Sequence, residues 1–459
     1  MGCLLTLPLS CVAASACSCC TTLVASAICS CQGLVPAPAA CGLHIGLAAL
    51  VGALALSAQQ WSANDLVLGS LRLGGDRSFG GMTLCGASRC SGDAAVLRCS
   101  LALGAFFALL ALLTLPTSTF ATTVHRGLWP LKLMLLPAAL VSTLWLDASL
   151  LVHYAQFASI LALAYLILQA VLLIGFAMDW NSTWVDADAS AGNDEGLCGL
   201  KGLLLAISAF AYGVSGYVLT GLLGSADAGA AAHLAGAEEA SACGSSRLLV
   251  WVLVVVMVLL STLSLCKSIC PHGNVLTSSL VTAYATYLCW SALVAHPETA
   301  CRPPTAVGDP AFARTMSVGV GMGLAALALL SAANTASASA PTADARSSPA
   351  LSPDAVLIGA PVTPAESWGQ FHATLAASSA YLAVLLTGWA ADVGEQQAGA
   401  STASWPLKAQ AGALLGLVLL YAWVLLAPYL LRDVRDFGVQ FDDDSAPPVE
   451  LRRFWSPLV

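Results

Sequence analysis

The residues of this chain that could do chemistry are polar side chains set inside long apolar runs. Lys132 lies about one turn into the run 128–147. A lysine deep in a membrane helix costs about 2.5–3.5 kcal/mol on insertion scales. It therefore either faces a cavity, a partner or a lipid headgroup, or its stem snorkels to the nearby interface. The run 275–295 is the most polar, with Thr277, Ser278, Ser279, Thr282, Tyr284, Thr286, Tyr287 and Ser291. Ser278, Thr282 and Thr286 recur at every fourth position, so a helix carries them along one face. Such a hydroxyl stripe could line a groove for a lipid headgroup. The alternative is hydrogen bonding between helices, worth under about 1 kcal/mol per bond. His372, His44 and His153 also lie in apolar surroundings, where a histidine is either a packed polar residue or a proton carrier.

The seventeen cysteines sort by position, and seven of them fall between Cys3 and Cys31. No C-x-x-C pair is followed by a second pair at zinc spacing, so neither a metal site nor a cofactor is expected. Cys243 and Cys301 fall in two loops expected on the same non-cytoplasmic side, and Cys85 and Cys90 share one loop. Both pairs are disulfide candidates in an oxidising compartment, with free thiols as the alternative. Gly2, Cys3 and Thr6 fit the M-G-x-x-x-[ST] pattern, which makes Gly2 a myristoylation and Cys3 a palmitoylation candidate. The basic n-region of a signal peptide is missing, since no Lys or Arg precedes Arg72. The motifs G-x-x-x-x-G-K-[ST], H-E-x-x-H and G-x-S-x-G are absent. The carboxylates cluster in loops, and no enzymatic activity is expected.

Positioning these groups is the work of membrane helices. Of 459 residues 58% are hydrophobic and 9% charged, with a mean hydropathy of +0.82; soluble domains carry about 25% charge. So little charge cannot coat a water-soluble globule, and nothing resembles a basic nucleic-acid surface. Ten spans are expected, at 40–58, 94–115, 128–147, 150–178, 200–223, 248–266, 275–295, 311–333, 368–388 and 407–431. They must be helices, because lipid offers no partner to open backbone groups. The fourth would measure about 43 Å at about 1.5 Å per residue, beyond the ~30 Å hydrocarbon core, so it should tilt or cross obliquely. Gly42 and Gly46, Gly319 and Gly323, and Gly412 and Gly416 are spaced for close helix contact.

The organisation expected is a Cys-rich cytoplasmic or membrane-face segment 1–39, eight spans in 40–333, and a flexible linker 334–366. The last two spans occupy 367–431, and a cytoplasmic tail 432–459 follows. Residues 179–199 are read as an acidic loop. Arg432, Arg435, Arg452 and Arg453 favour a cytoplasmic tail, and ten spans then place the N-terminus there too. The sequon Asn181-Ser182-Thr183 would lie in the cytoplasm, unmodified.

The stretch GNVLTSSLVTAYATYLCWSALVAHPETACRPP at 273–304 resembles the signature of the serine incorporator (serinc) family. The matching positions are Gly273, Leu276, Ser278, Ser279, Tyr284, Tyr287, Leu288, Trp290, Ser291, Ala292 and Cys301, with Arg302 standing where the family usually has Asn. VHRGLWPLK, DWNSTWV, WGQFHATLAASSAYLAVLLTGW and the stretch from Ser404 to Gly438 are similar to further family segments. The resemblance implies an all-α polytopic fold of ten helices, in two helical subdomains joined by a long oblique helix. It also implies lipid handling: phospholipid scrambling, serine incorporation into phosphatidylserine and sphingolipids, or both.

Lys132, Ser278, Thr282, Tyr284, Thr286, Tyr287 and His372 are accordingly the lipid-groove candidates. A carrier of serine or another small polar solute and a non-catalytic scaffold are the alternatives. The partners expected are membrane phospholipids, a second copy of the chain and lipid-synthesis enzymes, in the plasma membrane or an endomembrane.

Overall fold

The computed structural model describes residues 34–63, 88–116, 119–146, 148–190, 199–234, 244–270, 272–296, 303, 310–338, 368–388 and 405–431. Among them the regular structure is helical: α1 Ala37–Ala63, α2 Ser88–Thr114, α3 Thr119–Arg126, α4 Trp129–Ser142, α5 Ala148–Ser190, α6 Leu200–Leu234, α7 Gly244–Leu265, α8 Val275–Val294, α9 Pro310–Ala338, α10 Trp368–Thr387 and α11 Trp405–Leu430. A short 3-10 turn, Thr143–Trp145, follows α4.

Each of the ten expected spans has its helix. Seven of these, in α1, α2, α5, α6, α7, α9 and α11, are long and apolar enough to cross a bilayer. The pair α3 and α4, bent by 69°, counts as an eighth if read as one broken span. At most half of the apolar stretch of each of the seven is buried, and large apolar side chains such as Met134, Phe210 and Tyr217 are more than 70% exposed. Water would penalise that exposure, while lipid tails solvate it. The chain is therefore a multi-pass integral membrane protein. The remaining two expected spans, α8 and α10, fall short of that apolarity.

The chain forms two compact units. Unit 1 comprises residues 1–155 and 332–383, and unit 2 comprises residues 156–331 and 384–459. In unit 1, α2 is the central element and packs on α1, α3 and α4. Its buried Leu97, Leu103, Phe106 and Phe107 form the core side of the helix. Arg98 ties the end of α4 to it, donating to Thr143 O at 3.1 Å and Leu146 O at 3.4 Å. Ser100 donates to Ser379 O at 2.7 Å and lies 2.6 Å from Tyr154 Oη.

In unit 2, α8 is the centre, with α6, α7 and α11 against it. It starts where Asn274, in extended backbone, accepts a hydrogen bond from Thr277 N at 2.7 Å, the usual N-cap arrangement. Fifteen of its twenty residues are buried, which is how a helix below the apolarity of a free-standing span is accommodated.

Helix α5 contributes its first residues to unit 1 and the rest to unit 2. It runs to Ser190, not Met178, and spans about 65 Å at about 1.5 Å per residue. The expected acidic loop at 179–199 is thus helical through Ser190. Hydropathy marks where lipid ends, but a helix whose backbone is already hydrogen-bonded can continue into water. Buried Asp188 near its end accepts from Lys201 N at 3.1 Å and so satisfies an open donor at the start of α6. Helix α9 runs to Ala338 and takes up the first residues of the expected linker.

The glycine spacings do not mark close helix contacts. A Cβ at Gly42, Gly46, Gly319, Gly323 or Gly412 would meet nothing within 4 Å, and at Gly416 only an ordinary contact with Ile167. Close approach occurs instead at Gly104, against Ser379 Oγ at 2.8 Å, and at Gly273, against the Ser264 carbonyl.

Candidate functional site

The corner between α3 and α4 builds the first cluster. Leu128 sits in the left-handed region, at φ 57° and ψ 28°, which costs a non-glycine residue about 1–2 kcal/mol. The turn is held by a strap from the segment before α1: Val35 N–H donates to Arg126 O at 3.1 Å, and Arg126 Nε donates to Val35 O at 2.7 Å. Trp129 Nε1 also donates to Arg126 O, at 3.0 Å. Lys132, on the first turn of α4, reaches back and donates from Nζ to His125 O at 2.8 Å, its ammonium 4.4 Å from the Trp129 ring centroid. Helix α3 thereby gains a cation at its carbonyl end, where the helix dipole favours one. Lys132 is 3% exposed, so it turns inward and does not snorkel.

The same corner aims the His125 side chain at two others. His44 on α1, His125 on α3 and His372 on α10 are all buried, and one ring nitrogen from each lies within 4.8 Å of the others. His125 Nδ1 is 3.0 Å from His372 Nε2. His44 donates from Nδ1 to Ala40 O at 2.7 Å. Among the described residues His44 Nε2 and His372 Nδ1 have no hydrogen-bond partner. Trp368 stacks on His125 at 3.8 Å, and Trp129, Phe107 and Phe371 complete an aromatic wall. Cys41 Sγ is 3.7 Å from His125 Nε2.

The second cluster lies in unit 2. Ser278 Oγ is 2.6 Å from Ser264 Oγ, 2.7 Å from Tyr421 Oη and 3.0 Å from Asn274 O. Thr282 donates to Ser278 O and Thr286 to Thr282 O, each at 2.8 Å. Tyr284 donates to Leu166 O at 3.3 Å, and Tyr287 to Ser317 O at 3.1 Å. One turn beyond Leu166 on α5, Gln169 is fully buried, and neither amide atom has a hydrogen-bond partner among the described residues.

The lipid-groove candidates therefore divide between the units. Lys132 and His372 belong to the histidine cluster of unit 1. Ser278, Thr282, Tyr284, Thr286 and Tyr287 belong to the α8 core of unit 2. The Ser278, Thr282 and Thr286 stripe does not face an open groove in this conformation. Its hydroxyls are buried, and each bonds the carbonyl four residues earlier. That outcome follows from local chemistry, because a Ser or Thr hydroxyl on a helix can always reach that carbonyl.

Sequence reasoning missed His125, Gln169 and Tyr421. His125 lies inside VHRGLWPLK, whose density of polar and aromatic residues within an apolar region was the available signal. Exposed His153 is outside the cluster. The expectation of no metal site came from spacing along the chain, which cannot see three lone histidines on separate helices. Cys85, Cys243, Cys301, Gly2 and Cys3 lie outside the described residues, as does the side chain of Cys90. The described cysteines, Cys41, Cys99, Cys266, Cys270 and Cys289, are free thiols.

A profile of the serine incorporator (Serinc) family matches residues 10–356 and 364–434. The chain is 23% identical over 398 residues to a probable serine incorporator of Monosiga brevicollis, across 76% of this chain and 79% of that protein. It is 27% identical to serine incorporator 3 of Bos taurus and 26% identical to a probable serine incorporator of Nematostella vectensis. Each of these matches runs over 219 residues, 46% of this chain and 43% and 45% of those proteins. The chain thus aligns with less than half the length of these two relatives. With the family profile covering most of its residues, and with helices at all ten expected spans, the chain belongs to the serine incorporator family.

Proposed function

We propose that this protein handles membrane phospholipids, easing the passage of headgroups between leaflets without making or breaking covalent bonds. The observation that carries the proposal is Gln169, a buried amide in a membrane-spanning helix with both polar atoms unpartnered. An amide left so in an apolar medium costs several kcal/mol, which a visiting headgroup or water would offset. Tyr284, bonded one turn away at Leu166, and the hydroxyls of α8 make this part of unit 2 unusually polar for a bilayer interior. The names of the relatives point to serine, and delivery of serine-containing headgroups to lipid-synthesis enzymes is the role that fits both lines. Phospholipids are then the ligands, and a second copy of the chain and those enzymes the partners, in the plasma membrane or an endomembrane.

The test is lipid exchange in liposomes holding the purified full chain and fluorescent phosphatidylserine. Faster exchange than in empty liposomes, slowed severalfold by Gln169→Leu, supports the proposal; exchange no faster than in empty liposomes overturns it. The Gln169 amide would equally suit a small polar solute. Saturable uptake of radiolabelled serine into the same liposomes, without lipid exchange, would favour a carrier.

A further inference from the structure

We propose that His44, His125 and His372 bind one transition-metal ion within unit 1, and that the charge of the site points to Cu(I). Three helices that are separate in sequence each supply one buried imidazole, and the three ligand nitrogens lie within 4.8 Å of one another. Histidines packed only as polar core residues would satisfy their ring nitrogens on neighbouring groups. Here two of them do not. The Nδ1–H of His44 is spent on Ala40 O, which leaves the lone pair of Nε2 unused. A backbone carbonyl on the far ring nitrogen is the usual outer support of a metal-bound histidine.

The other pair has suitable geometry. His125 Nδ1 and His372 Nε2 are 3.0 Å apart, and an ion about 2.0–2.1 Å from both would see them at roughly 95°. No net proton has to leave. Each neutral imidazole keeps one N–H, and the proton now between the two rings moves to the outer nitrogen of its own ring. On His125 that outer nitrogen, Nε2, lies 3.7 Å from Cys41 Sγ; on His372 it is the unpartnered Nδ1.

Charge selects the ion. Besides the imidazoles, the described groups at the cluster include aromatic rings, the Cys41 thiol, the Lys132 amino group held at His125 O and the Arg126 guanidinium, whose charge acts on His125. A dication would add two positive charges beside that guanidinium, among buried side chains, and such burial is costly without anions. Cu(I) adds one charge, suits imidazole and sulfur donors, and is met by the soft Cys41 sulfur one shell out.

The experiment uses the purified full chain in detergent, its accessible cysteines first blocked with N-ethylmaleimide so that the N-terminal thiols cannot compete. Cu(I) is titrated against a chromogenic chelator, with Zn(II) in a parallel series, and the loaded protein is examined by X-ray absorption. One tightly held Cu(I) per chain with a nitrogen-dominated shell is expected. His372→Ala and His44→Ala should lower affinity at least tenfold, and His153→Ala should leave it unchanged. No stoichiometric Cu(I), a sulfur-only shell in the wild-type protein, or binding of Zn(II) in preference would each overturn the assignment. Because the shell is read on the wild-type protein, a variant that fails to fold does not remove the test.

Discussion

Lys132 donates from Nζ to the main-chain oxygen of His125, 2.8 Å away across the α3–α4 corner. One bond thus joins the only cation of α4 to the carbonyl end of α3 and to the backbone of a cluster histidine. The corner can form because Leu128 accepts a left-handed backbone and because Val35 and Arg126 strap it from outside. Local strain at Leu128 and a buried charge at Lys132 are both unfavourable alone, and together they place His125.

Lys132→Met should destabilise the protein by about 1–3 kcal/mol, the cost of leaving a buried carbonyl without its partner. Thermal unfolding in detergent, followed by tryptophan fluorescence, reads this through Trp129 and Trp368. A melting temperature equal to wild type would show that the bond contributes nothing.

Leu128→Gly should raise the melting temperature or leave it unchanged, since glycine adopts the left-handed region freely. Leu128→Ile should lower stability by about 1 kcal/mol or more, because a β-branched residue is poorly tolerated there. The order Gly, Leu, Ile is the outcome to check in the same assay, and the reverse order would refute strain at this corner.

Gly273→Ala should be among the most damaging single changes in unit 2. Its added Cβ would collide with the Ser264 backbone carbonyl, and backbone cannot yield as a side chain can. Size-exclusion chromatography after detergent extraction should show loss of the folded peak. Asn274→Ala, which removes only a cap worth about 1 kcal/mol, should retain it.

Tyr421→Phe and Ser278→Ala should each cost under about 2 kcal/mol, and the double variant less than their sum. Both remove the same contact, 2.7 Å long, and membrane hydrogen bonds average about 0.6 kcal/mol. A double-mutant cycle on unfolding measures the coupling; strict additivity would mean the two hydroxyls do not interact.

His272, in the turn between α7 and α8, donates from Nε2 to Val424 O at 2.9 Å, and burial holds its pKa below the ordinary 6.5. The folded state favours the neutral ring. Its contribution to stability is complete above pH 6.5 and fades as pH falls toward the lowered value. Melting temperatures at pH 7.5 and 5.5 should differ less for His272→Gln than for wild type, since the amide keeps a donor and has no charge to gain. Titration elsewhere is common to both proteins and cancels.

The helices were legible in the sequence because their causes are local. A run of apolar residues in lipid must close its own backbone hydrogen bonds, so ten helices could be located from composition and breakers alone. The family signature in α8 was likewise a matter of order along the chain. What each polar face meets was not legible. The stripe of Ser278, Thr282 and Thr286 reads the same whether it lines a groove or, as here, turns to its own helix and to Ser264 and Tyr421. The glycine pairs read as contacts, yet most face open space. The three histidines come from α1, α3 and α10, and His125 and His372 are 247 positions apart in the chain. No spacing rule joins them. Helix formation is decided within a few turns of chain, whereas burial, partner and ligand geometry depend on which helices pack together, and only the tertiary structure settles that.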